Sequence, residues 1–265
     1  MNPETGQLDA DDIRRQITDR TRLVAIGAAS NALGTINDIA NVSGLAHDAG
    51  ALVFVDAVHY APHRLVDVRA MDCDFLACSA YKFYGPHLGV LFGREELLRE
   101  LDVPKLRPAS DNPPERMETG TQNHEGIVGA AAAVDFLDSL AAGPNRRVRL
   151  QTVYDALHER AGSLIERLWR GLSEVPGVRL YGPPPTEPRT PTVSFAISGV
   201  PSDAVCRRLA EEGIFASHGD FYATTAVRRL EVPEDGLVRV GCACYSTSEE
   251  IDRLLAVVLS LASGR

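Results

Sequence analysis

The seven residues ALVFVDA at positions 51–57 constrain this chain more than any other stretch. Their apolar side chains do not alternate with polar ones, and two valines and a phenylalanine favour extended backbone. The run therefore predicts a strand buried on both faces, as in a parallel sheet. Such a strand needs helical cover, and the preceding residues supply it. Asp38 predicts the N-cap of a helix running to His47, and Gly50 stops it. Leu23–Ala28, Asp74–Cys78 and Gly89–Phe92 predict further strands, with SNALGT after the first as a loop. Strand, helix and strand in this rhythm indicate an α/β sheet with helical cover.

Beyond it, Asp102 to Asn123 is rich in proline and polar residues and predicts a long functional loop. A helix follows to about Leu140, Gly143-Pro144 breaks it, and an amphipathic helix is expected from about Asn145 to Leu172. Trp169 on that helix is expected to pack onto a domain interface. After Gly182-Pro183-Pro184-Pro185 the texture changes. Thr192–Ile197 predicts a strand, Ser202 the cap of a helix to Glu212, Ile214 the start of another strand, and Val238–Cys242 a strand. Thr247 or Ser248 caps the last helix. The expected organisation is a large α/β domain over 1–142, a connecting helix over 143–177 and a small α+β domain over 178–265.

The formal charge of −9, from 36 acidic and 27 basic side chains, argues against nucleic acid or an anionic membrane as the main partner. Five cysteines without a CxxC pair make a poor disulfide framework and read as free thiols. The start of the chain has no basic, apolar signal region and no apolar run reaches membrane-spanning length, so a soluble, cytoplasmic protein is expected. His47, His63 and His87 are irregularly spaced and lack a cysteine/histidine cluster, so no metal site is predicted.

Two residues carry chemistry. Asp56 ends the apolar strand, and a carboxylate there points to the crevice where open α/β sheets bind ligands. Its burial needs a cationic partner, such as a protonated pyridine nitrogen; a helix cap or an ion pair is the plain alternative. Lys82, in SAYKFYGP, follows a strand and precedes an aromatic, glycine-proline turn. A partly apolar setting would favour the neutral amine that Schiff-base chemistry requires. Asp56 and Lys82 are 26 residues apart, one strand-helix-strand unit, so both can line the same edge.

The segments ASNALGT, VDAVHYAPH, SAYKFYGPHLGVLFG, METGTQN and VRVGCACYST, in this order and at these distances, resemble the class V aminotransferases, a group that includes cysteine desulfurases. The resemblance runs from about Asp9 to Leu261. It implies the fold-type-I architecture of pyridoxal-phosphate enzymes, with a mainly parallel large domain, here incomplete, and a small α+β domain. It also implies roles. Lys82 would form the Schiff base with pyridoxal 5′-phosphate and later move the α-proton, and Asp56 would keep the pyridine nitrogen protonated. His59 would stand against the cofactor's phenolic oxygen, and Asn31 near that oxygen and the substrate carboxylate. Ser79 would bind the phosphate, and Tyr81 takes the place of a phosphate-binding histidine. Gly120 and Thr121 would reach the phosphate of a neighbouring subunit, which implies a homodimer. Arg239 would clamp the carboxylate of a small amino-acid substrate through two parallel bonds.

The chain departs from that pattern twice. Cysteine desulfurases carry a nucleophilic cysteine on a small-domain loop, where this chain has Tyr222, and a phenol cannot carry persulfide sulfur. Cys242 and Cys244 alternate on one predicted strand and are expected to share a packed face. The resemblance also implies an N-terminal segment, with a phosphate-binding turn, ahead of the matched region, so a truncated member is expected. The reading is a pyridoxal-phosphate-dependent transferase or lyase, with a non-catalytic fragment or dimer partner as the alternative and cysteine desulfurase below both.

Overall fold

The computed structural model describes residues 1–3 and 5–264. In chain order the elements are α1 (Ala10–Gln16), β1 (Leu23–Gly27), α2 (Ile39–Asp48), β2 (Leu52–Asp56), α3 (Val68–Met71), β3 (Phe75–Ser79), β4 (Gly89–Gly93), α4 (Glu95–Glu100), α5 (His124–Ser139) and α6 (Arg146–Ser173). There follow β5 (Val178–Tyr181), β6 (Thr192–Ile197), α7 (Ser202–Glu211), β7 (Ser217–Gly219), α8 (Thr224–Arg229), β8 (Leu237–Gly241) and α9 (Ser248–Ala262). Single 3₁₀ turns occupy Ala80–Phe83 and Glu115–Met117. The second is the one regular piece described in the proline-rich loop. The chain forms two compact units. One comprises Arg14–Ala28 and Asp38–Val153; the other comprises Met1–Ile13, Ala29–Asn37 and the chain from Tyr154 onward.

The first unit holds a sheet ordered β1-β2-β3-β4. The first three strands are parallel, and β4 returns antiparallel to β3. Asp38 caps α2 as predicted, its carboxylate accepting from Asn41 N at 3.1 Å, and Gly50 follows the helix with φ of 74°. The apolar stripe of α2 (Ile39, Val42 and Ala46) is buried, and Ile39 and Ala46 share a core with Val53 and Val55. Val53 and Val55 are fully buried while Leu52 and Phe54 are half-buried. The expectation of a strand buried equally on both faces is thus corrected. In this unit one face of the sheet is packed more tightly than the other, and β1 likewise alternates exposed with half-buried residues. A charged cluster joins the helical layer to the strands. Asp74, buried, accepts from Val53 N at 2.7 Å, meets His47 Nε2 at 2.9 Å and lies 2.9 Å from Arg94 Nε.

The second unit holds an antiparallel sheet ordered β5-β6-β8-β7. Val193, Phe195 and Ile197 of β6 pack with Val238 and Val240 of β8 against Leu168 and Leu172 of α6, Leu209 of α7 and Val258 of α9. Burial of such side chains stabilises by roughly 1.5–3 kcal/mol each. A capping box starts α9: Thr247 Oγ1 accepts from Glu250 N at 3.3 Å, and Thr247 N donates to Glu250 Oε2 at 2.9 Å.

Several expectations are corrected here. Pro201, not Ser202, is the residue before α7; Ser202 lies in the first turn and its N–H and hydroxyl bond Asp235. Ile214 starts no strand, because the chain pairs with β8 only from Ser217. Trp169 packs against the core of its own unit, with the Arg189 guanidinium 4.7 Å over its ring. Cys242 and Cys244 do not share a strand face: β8 ends at Gly241, leaving Cys242 buried and Cys244 exposed.

Candidate active site

Asp56 closes β2 and Ser79 closes β3, and the two strands run parallel with Asp56 opposite Ala77. Both residues therefore stand at the carboxyl edge of the sheet, where open α/β folds bind ligands. After Ser79 the chain enters the 3₁₀ turn that carries Lys82. The turn is held at both ends, by Ala80 N donating to Leu88 O at 2.8 Å and Gly85 N donating to Ala80 O at 2.9 Å. A Cβ at position 85 would stand 3.0 Å from the Ala80 carbonyl oxygen, so the return of the chain favours glycine there. A carboxylate, a hydroxyl and a primary amine thus share one edge.

The local environments differ from expectation. Asp56 is exposed in this unit, and its Oδ1 accepts from Val58 N at 2.9 Å, which closes a local turn rather than capping a helix. As the last residue of the strand it leaves the ladder where solvent begins. Lys82 is also exposed rather than set in apolar surroundings, with Nζ 5.1 Å from the Tyr81 ring centroid. The turn faces outward, and Tyr81 and Tyr84 are exposed with it. Tyr81 stacks on His87 at 4.8 Å. His59, half-buried in the turns after β2, sets its ring edge-on to His63 at 5.2 Å. Gly120, with φ of 71°, and Thr121 lie in the exposed approach to α5. Among the described residues, no hydrogen bond links them to Asp56, Ser79 or Lys82.

The other unit brings Asn31 and Arg239 together. Arg239 lies in the middle of β8, not at its start, and its Nη1 donates to Asn31 O at 3.0 Å. Asn31 Nδ2 donates to Phe221 O at 2.9 Å, and the Phe221 ring lies 4.3 Å from the Arg239 guanidinium carbon. Burial pulls the Arg239 guanidinium below its ordinary pKa. No carboxylate among the described residues pairs with it. The loop carrying Asn31 is clamped carbonyl by carbonyl. After Asn31 O, Ala32 O accepts from Ser194 Oγ, Leu33 O from Arg189 Nη2 at 3.5 Å, and Gly34 O from Thr190 N at 2.8 Å. A Cβ at position 34 would come within 2.7 Å of Thr192 O, which with φ of 80° explains the glycine. Phe221, Ser194 and Arg189 escape sequence reasoning. The first offers only an aromatic after Gly219-Asp220, and the others resemble ordinary loop and strand residues.

Among the described residues no group of three or more histidine, cysteine, aspartate or glutamate side chains could hold a metal ion. No helix there is long and apolar enough to cross a membrane. Burial pushes the Cys242 thiol up to about 11, and Cys206 likewise.

Parallel strands with polar side chains at their carboxyl edge define an α/β ligand-binding scaffold of the open-sheet class. The chain belongs to the Aminotransferase class-V family, whose model matches residues 2–254. The family and fold expected from the five sequence segments are thereby borne out. A cysteine desulfurase of Dickeya dadantii is 35% identical over 267 residues, covering 96% of this chain and 60% of that protein. An uncharacterised protein of Mycobacterium tuberculosis is also 35% identical, over 97% of this chain and 65% of its own length. The apo structure of a cysteine desulfurase from Thermococcus onnurineus superposes with a TM-score of 0.87 at 30% identity, over 100% of this chain and 65% of that one. The chain thus spans about 60–65% of the length of these relatives.

Proposed function

We propose that this chain is the lysine-bearing part of a pyridoxal-phosphate-dependent transferase or lyase that acts on a small amino acid. The observation that carries the proposal is the shared edge of Asp56, Ser79 and Lys82 at the ends of β2 and β3. The donor set fits the cofactor: a carboxylate for a pyridinium nitrogen, a primary amine for an aldehyde and hydroxyls for a phosphate. When bound, pyridoxal phosphate supplies an aldehyde that condenses with amines and a ring that withdraws electrons from the substrate α-carbon.

In this reading Asp56 holds a proton on the ring nitrogen, and Lys82 Nζ holds the cofactor and moves the α-proton. Ser79 and Tyr81 bind the phosphate, with Gly120 and Thr121 of a second copy completing it in a homodimer. His59 stands against the phenolic oxygen, and for Asn31 the family resemblance implies a role at that oxygen and at the substrate carboxylate. Arg239 receives the α-carboxylate, because a half-buried guanidinium with one carbonyl bond keeps donors for an anion. Transamination, elimination and racemisation would all begin with removal of the substrate α-proton, for which Lys82 Nζ would be the base. Persulfide formation finds little support. Tyr222 is fully exposed at the loop where desulfurases carry cysteine, and Cys242 is a buried, neutral thiol. Exposed Cys244 is the residue on which a desulfurase reading would have to rest.

The test exploits the chain's two lysines. Lys105 Nζ is engaged by Ala109 O at 2.9 Å and Asp111 at 3.0 Å, whereas among the described residues Lys82 Nζ meets only the Tyr81 ring. Purified protein mixed with pyridoxal phosphate should develop visible absorbance that Lys82→Ala abolishes, and a borohydride-fixed adduct should map to Lys82. An adduct on Lys105 alone would refute the assignment. Stoichiometric persulfide on Cys244 after incubation with cysteine would restore the desulfurase reading.

A further inference from the structure

A half-buried cation without a carboxylate partner calls for explanation, because burial disfavours charge unless something answers it. Arg239 has one protein acceptor, Asn31 O, and one ring, Phe221. The ring lies over a face of the guanidinium, a contact that uses none of its N–H groups as hydrogen-bond donors. One Nη1 bond is committed, and the Nε and Nη2 donors have no partner among the described residues. The ring itself sits in an unusual backbone. Phe221 and Tyr222 have φ of 57° and 60°, a region that side chains other than glycine rarely occupy. Two such residues in succession persist only where the surroundings hold them.

The holding groups are visible. Asp220 Oδ1 accepts from Tyr222 N at 3.1 Å, Oδ2 accepts from Thr224 Oγ1 at 2.6 Å, and Ala223 N donates to Asp220 O at 2.8 Å. The Thr224 hydroxyl, followed by the Tyr222 N–H, keeps the Asp220 carboxyl below the usual range. On the other side, Asn31 Nδ2 fixes the Phe221 carbonyl, and the ring is buried with Leu33, Tyr181, Leu230 and Leu237. Asn31 therefore touches both members of the pair, Phe221 through its side chain and Arg239 through its carbonyl.

We infer that Phe221 is a positioning residue for carboxylate recognition: its ring, locked by the Asp220 turn and by Asn31, braces Arg239 so that the guanidinium edge is presented to an incoming carboxylate. This rests on the reading of Arg239 as the carboxylate receptor, and it adds the device that orients it. An aromatic face stabilises the charged guanidinium without consuming a donor, which a carboxylate neighbour could not do. Tyr222, turned fully outward by the same conformation, is left outside the contact.

The experiment needs no cofactor. Sodium propionate is titrated into the full chain while the Arg239 Nε–H resonance, identified by its loss in Arg239→Lys, is followed by NMR, with sodium chloride at equal ionic strength as the control. The wild-type resonance should move with propionate and not with chloride. Replacing Phe221 by pentafluorophenylalanine keeps shape and burial but removes the negative ring face; propionate affinity should fall about fivefold, within the range of such contacts. Phe221→Tyr should bind within twofold of wild type, and serves where fluorination impairs folding. Equal affinity of the pentafluoro variant and wild type would overturn the role of Phe221 alone. A wild-type resonance indifferent to propionate would overturn the receptor reading of Arg239, whatever the absorbance test at Lys82 returns.

Discussion

Replacing Arg189 by methionine should weaken the unit built from the chain's two ends, and the structure supplies the magnitude. Arg189 is buried and donates from Nη1 to Pro183 O and from Nη2 to Thr192 O, with a longer reach of 3.5 Å to Leu33 O. Its guanidinium carbon lies 4.7 Å over the Trp169 ring. Two bonds from a charged donor contribute about 1.5–3 kcal/mol each, and the ring contact about 1 kcal/mol. Against them, burial pulls the guanidinium from its ordinary 12.5 down to about 10. That difference of about 2.5 in pKa costs about 3 kcal/mol at 1.36 kcal/mol apiece, and Nε is buried without a partner. Arg189→Met, which fills much of the same volume without the charge, should therefore lose about 1–4 kcal/mol net. The chain has one tryptophan, Trp169, directly beneath the substituted group, so urea unfolding followed by its fluorescence reads both stability and local packing. An unchanged unfolding midpoint with unchanged native emission would refute the reasoning, since it would mean that neither the carbonyl bonds nor the ring contact exists in solution.

Two further outcomes are expected. With a thiol-directed disulfide reagent at neutral pH, the exposed Cys244 should react first, while buried Cys206 and Cys242, both pushed up to about 11, stay protected until unfolding; fast labelling of Cys242, mapped by mass spectrometry, would contradict its placement. Asp138 receives Arg149 Nε at 2.9 Å and Nη2 at 2.7 Å, and that bond, ahead of any other influence, holds its carboxyl below the usual range. A lowered folded value means that the contribution is present above the unfolded carboxylate value of about 3.9 and fades as pH falls through the folded one. The stability gap between wild type and Asp138→Asn should thus be widest at neutral pH and close below about pH 4, and a gap independent of pH in urea melts would count against it.

How much of this was legible beforehand depends on the range of the interaction. The cap at Asp38, the end of β2 at Asp56, the turn carrying Lys82, the limits of α5 and α6 and a cap at Thr247 or Ser248 all come from patterns a few residues long. Strand β5 and helix α8 gave no such pattern, being four and six residues long beside prolines and strained turns. Lys82 and Asp56 are exposed despite apolar sequence neighbours, because burial is decided by what covers an edge and not by what stands beside it in the chain.

The amino-acid order by itself determined the family, the strand–helix rhythm and the identity of the carboxylate, hydroxyl and amine that end up at one sheet edge. Periodicity, caps and turn residues act through contacts within one turn or one strand, so one sequence suffices to read them. Only the tertiary structure decided that residues 29–37 join the C-terminal unit, that four successive carbonyls of that loop are clamped, and that Phe221 lies against Arg239. The bonds responsible join residues as many as 208 positions apart. A bond across such a distance leaves no periodic trace in a single chain, because its partners are chosen by how the sheets and helices pack, not by what stands beside them in the sequence.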